Sequence, residues 1–124
     1  MKIFFFGVLC LFLASTVYAA SNIEYCASPQ AWAAQLTVAK LRNNGFEPQP
    51  LPKVELVAQQ KLTSTRLLPA ASKDFGDLYS QTLLITVASS RPEQPIKRFI
   101  VNAIISEQEC SIADPLIIDY ALLG

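Results

Sequence analysis

The chain is 124 residues long, 52% hydrophobic and 16% charged, and its 10 basic and 10 acidic side chains cancel. That length suits one domain, and balanced charge gives neither nucleic acid nor an anionic membrane surface a reason to bind. Histidine is absent altogether, which excludes Ser-His-Asp triads, Cys-His pairs and histidine-ligated zinc sites.

Met1 and Lys2 precede an apolar run from Ile3 to Leu13, and Val17-Tyr18-Ala19 closes it with small or modest residues. This is the pattern of a secretory signal peptide, with cleavage expected after Ala19 to leave residues 20–124 as a single domain. A retained membrane helix over Ile3 to Ala20 is the competing reading. Polar Ser15 and Thr16 and the Ala-rich exit favour removal, with no stable membrane insertion afterwards. Cys10 lacks the preceding residues of a lipoprotein box, and no Asn-x-Ser/Thr triplet offers a glycosylation site. The expected destination is the periplasm or the extracellular space.

Beyond the leader, Cys26 and Cys110 are the only thiols. An even pair in an exported chain reads as a disulfide. Closing a loop of about 85 residues contributes roughly 4 to 5 kcal/mol in the chain-entropy description. Redox-active dithiols sit two residues apart at a helix start, which these do not.

Ser28-Pro29 reads as a helix opening, and Asn43-Asn44-Gly45 as its stop, with Phe46 placed for the accompanying apolar contact. The helix expected over 29–43 carries Trp32, Leu36 and Ala39 on one side and Ala34, Val38 and Leu41 on nearly the opposite one. A sheet covering one side and a loop or terminal segment covering the other is favoured over an exposed partner-binding stripe. Glu47 to Pro52 alternates proline too densely for helix or central strand and reads as a stiff extended connector.

From Val54 the period becomes two, continuing through a polar, Thr-rich run to Arg66 as one bent strand or two short ones. Pro69 to Asp77 reads as a loop. Leu78 to Ser89 alternates Tyr79, Leu83, Ile85 and Val87 against Ser80, Thr82, Leu84 and Thr86. After a turn at Arg91 to Pro95, Ile96 to Ser106 alternates Phe99, Val101, Ala103 and Ile105 against Arg98, Ile100, Asn102 and Ile104. The two form an antiparallel hairpin. Leu116 to Leu122 is a last strand, an edge that could pair with a second copy; the sequence sets no oligomeric state. The fold class is α+β: one N-terminal helix packed on an antiparallel meander of about four strands, stapled by one disulfide. The helix-then-meander layout resembles that of cystatin-like domains. The inhibitory Gln-Val-Gly motif of that family is not in this sequence, and layout alone assigns no family.

Reactive groupings are sparse. Asp74 with Asp77, Glu107 with Glu109, and Asp114 with Asp119 are neighbouring carboxylates, placed where solvated capping is their ordinary role. Asp74-Phe75-Gly76-Asp77 lacks a full calcium-coordinating set. The scattered glycines make no phosphate cradle. Lys61 with Ser64, and Ser72 with Lys73, lie in polar company that would not desolvate a lysine. No catalytic residue, metal or cofactor is therefore expected. What remains is recognition by surface: an exported domain that binds another protein as inhibitor, immunity factor or accessory subunit. The hairpin tip, through Arg91, Glu93 and Gln94, and the proline connector are the expected contact loops. The alternatives are a carrier holding a small apolar ligand among Trp32, Leu36, Tyr79 and Phe99, and, third, a carboxylate-only enzyme.

Overall fold

A computed structural model describes residues 22–62 and 69–123. The expected leader, 1–19, and the Thr-rich continuation toward Arg66 lie outside the described residues. Among those described, a short helix α1 (Asn22–Cys26) precedes the main helix α2 (Trp32–Asn43), followed by strand β1 (Lys53–Leu62) and a helix α3 (Pro69–Phe75). Strands β2 (Leu78–Val87), β3 (Lys97–Ile105) and β4 (Leu116–Asp119) complete the sheet, and a 3-10 turn (Tyr120–Leu123) follows β4. The sheet is a four-stranded antiparallel meander in the order β1-β2-β3-β4. The α+β class read from the sequence is the observed one, disulfide included.

The register explains the core. Leu83 lies opposite Val101 and Ile85 opposite Phe99, so the alternating residues of β2 and β3 converge on one face. Leu83, Ile85, Val87 and Val101 are fully buried there, and Ala33, Ala34, Val38 and Leu41 of α2 join the same cluster. Each fully buried Val, Leu or Ile side chain contributes on the order of 1.5 to 3 kcal/mol, and each alanine less. The other sheet face, which includes Leu84, Ile100 and Ile118, is half-buried.

The helix stop behaves as expected. Gly45 has φ +87°, its amide donates to Arg42 O, and the Phe46 amide donates to Leu41 O. This is a Schellman cap with both members of its apolar pair, Leu41 and Phe46, buried.

The helix start differs. It begins at Trp32, not Pro29; Ala31 is the N-cap residue and makes no side-chain cap bond. Ser28 and Pro29 belong instead to a turn, in which Ala31 N donates to Ser28 O and the Gln35 side chain donates to Pro29 O at 2.7 Å. The reason is the unforeseen α1. Its Cys26 is bonded to Cys110 with a Cα–Cα distance of 5.4 Å. Asn22 donates to Ser106 O, and Ile23 O accepts from Gln81 Nε2, both at 2.9 Å. Pinned there, the chain must turn at Ser28 before it can run back over the sheet.

The loop expected over Pro69 to Asp77 is mostly α3. Ala70, Ala71 and Lys73 favour helix, proline occupies its first position, and Gly76 at φ +79° ends it, its amide donating to Ser72 O. The last strand also stops early, at Asp119, whose carboxylate accepts from Ala121 N and starts the 3-10 turn. Of the two apolar sides expected on the main helix, Ala34, Val38 and Leu41 are buried, whereas on the other Leu36 and Ala39 are half-buried and Trp32 is 41% exposed. Finally, β1 is one strand with a bulge between Leu56 and Ala58. The alternation read through Val54, Leu56 and Ala58 changes side there, and most of this edge strand is exposed.

Candidate functional site

The two expected contact loops are held together. The connector leaves the Schellman cap at Gly45 and runs beside the end of β2, where Pro48 bridges Ser89. Gln49 N donates to Ala88 O at 2.8 Å, and Ser90 N donates to Glu47 O at 2.9 Å. Proline's missing amide is tolerated because these bonds fall on its neighbours.

Gln94 is the knot. Its Oε1 accepts from the Ser89 hydroxyl at 2.6 Å and from Glu47 N at 3.1 Å, while its Nε2 donates to Gly45 O at 3.3 Å. The Ser89 hydroxyl in turn accepts from Arg91 N at 2.9 Å. One side chain therefore ties the hairpin tip to both the helix cap and the connector. Gln94 is only half-exposed and engaged internally, whereas Arg91 and Glu93 stand outward. The Arg91 guanidinium lies 3.6 Å from both Glu47 and Glu93 carboxylates, solvated pairs worth about 0 to 1 kcal/mol each. Leu51 is 57% exposed and Ile96 61%, so the tied loops carry apolar as well as charged contact groups. Proline and hairpin-turn composition identified the loops; nothing local in the sequence announced Gln94's long-range role.

Beside this end runs a groove. A hollow of about 370 Å³ is lined by Leu41, Phe46 and Phe99, with Gln94, Pro95 and Lys97 at its side. It shares Pro95, Lys97 and Asp119 with a second hollow of about 360 Å³, and Leu41, Asn44 and Phe99 with a smaller one of about 160 Å³ toward Lys40. All three are open to solvent. Of the four residues expected to line an enclosed ligand chamber, Phe99 alone borders them.

The neighbouring carboxylates are dispersed into local duties. Glu109 Oε1 accepts from the amides of Cys110 and Ser111 and from the Ser111 hydroxyl. Those bonds, the hydroxyl's first, hold its carboxyl below the ordinary value. Asp77 sits 3.1 Å from Lys61 Nζ and raises that ammonium above its ordinary value through the hydrogen bond and the charge. Around the disulfide, the buried Ser106 hydroxyl accepts from Gln108 N and Glu109 N. Among the described residues, no group of three or more Cys, Asp or Glu could hold a metal ion, and no helix is long and apolar enough to cross a membrane. No protein-family model, characterised protein or solved structure matches the chain.

Proposed function

We propose that this is an exported, non-catalytic domain, periplasmic or secreted, that binds another protein as inhibitor, immunity factor or accessory subunit. The observation that carries the reading is the tying of connector and hairpin tip through Gln94, Ser89 and Glu47. Loops already fixed in one arrangement lose little conformational freedom when a partner arrives. Exposed Leu51 and Ile96 supply apolar contact, and Arg91 and Glu93 supply charge for orientation. The disulfide fits an oxidising compartment. The openness of the groove gives an enclosed carrier site no support.

The test is capture by the tagged mature protein in its own compartment, read by mass spectrometry beside a Leu51→Asp/Arg91→Glu variant of unchanged melting temperature. A protein retained by the wild type and lost by the variant is expected. An enriched lipid with no protein, or capture indifferent to the variant, overturns the reading. Intact-mass measurement of the same preparation checks that the leader is gone.

A further inference from the structure

We propose, resting on the protein-binding reading above, that the groove beside the tied loops receives an acidic segment of the partner, with one bulky apolar side chain on the groove floor and flanking carboxylates on its rim. The floor is apolar: Leu41, Phe46 and Phe99 are each at least nine-tenths buried yet border the hollow. The rim is cationic. Lys97 lines this hollow and the second one, Lys40 lines the smaller one, and Arg98, which alternates to the opposite sheet face, lines the second hollow alone; among the described residues none of the three has a carboxylate within ion-pair distance. Against them stands one acid, Asp119, whose Oδ1 already accepts from Ala121 N.

This imbalance is local, because the chain as a whole is neutral. The end of α2 contributes Lys40 and Arg42 with no acid beside them. No basic residue follows Arg98, and the loop around Cys110 holds Glu107, Glu109 and Asp114. One part of the surface is therefore basic and another acidic. Unpaired cations around an apolar floor attract a segment of the opposite sign and fix its register. A hollow of about 370 Å³ lies at the small end of ligand sites, enough for one side chain and its neighbours.

The experiment titrates the isotope-labelled mature protein with the peptide acetyl-Asp-Glu-Phe-Glu-Asp-amide and follows amide shifts. Saturable shifts at Asn44, Gly45, Lys97 and Phe99 are expected. Lys97→Glu/Arg98→Glu should weaken binding roughly tenfold, as should raising salt to about 0.5 M, since exposed charges are screened over a few ångströms there. Lys73→Glu, on α3 outside the groove, should leave it unchanged. Replacing Phe by Ser in the peptide should abolish the Phe99 shift. Absence of saturable shifts to millimolar peptide, equal binding of a lysine-for-acid peptide, or tighter binding of a single-stranded oligonucleotide or of anionic vesicles overturns the proposal. The two readings separate cleanly. Partner capture that survives Lys97→Glu/Arg98→Glu leaves protein binding intact and removes the groove from it; peptide binding with no captured protein does the reverse.

Discussion

Replacing Cys26 and Cys110 together by alanine removes a link between positions 84 residues apart in sequence. In the chain-entropy description, freeing a loop of that length destabilises the fold by about 4 to 5 kcal/mol, through the larger conformational freedom of the unfolded chain. Whole domains of this size hold about 5 to 15 kcal/mol, and at a few degrees of melting temperature per kcal/mol the loss amounts to roughly 20 °C or more. Urea denaturation of the mature protein and its double variant separates two origins of the loss. If the cross-link acts on the unfolded chain, the midpoint falls and the slope with denaturant rises, because the uncrosslinked chain expands and exposes more surface. If it acts through packing of the buried Cys26, the midpoint falls at constant slope. A loss below about 1 kcal/mol would refute the reasoning altogether, since the pinned α1 would then be held by Asn22, Gln81 and apolar contacts alone.

Three further outcomes follow from local geometry. Gln94→Ala removes the acceptor of the Glu47 amide and the donor to Gly45 O, while the Ser89 hydroxyl keeps its bond to Glu47 O, costing about 1 to 2 kcal/mol; hydrogen exchange at Gln49 and Ser90 should accelerate while that of β2 and β3 holds. Gly45→Ala meets no atom within 4 Å, so its cost is backbone strain at positive φ alone, about 1 kcal/mol by chemical denaturation. Glu109 has a folded pKa lowered by Ser111 and Cys110, so its contribution is fully present above the ordinary carboxylate value and disappears as pH falls through the lower folded one. Melting curves of wild type and Glu109→Gln should therefore differ at neutral pH and converge in acid; a gap that widens in acid would contradict the sign.

The paired strands β2 and β3 were legible because one face is buried and the other half-open, which writes itself into a period of two. The Schellman cap was legible because only glycine sits comfortably at φ +87°. Ser28-Pro29 misled because its local preference was overridden by a tether 84 positions away; a cap signature cannot register where a distant cysteine pulls the chain. α3 was hidden by its brevity: Pro69 and Gly76 bracket it correctly, yet the same two residues bracket loops. The bulge at β1 carries no composition signal at all. At the candidate site, loop identity could be read from proline and turn residues, but the convergence of Gln94, Gly45 and Glu47 depends on three separate stretches of chain meeting, and so belongs to tertiary structure.

The extra residue at Val57 has a consequence for how copies of the chain can meet. Before it, Val54 and Leu56 lie opposite Ile85 and Leu83 on the helix side; after it, Gln59 and Lys61 hold that side, opposite Gln81 and Tyr79. Two copies mating antiparallel by a dyad centred on the bulge would align even positions with even ones, setting helix-side groups of one against outward groups of the other. The parity change thus frustrates full-length symmetric pairing of two copies along β1. In a border of ten residues with Leu56 and Val57 exposed, one inserted residue confines in-register pairing of two copies to the stretch on one side of it.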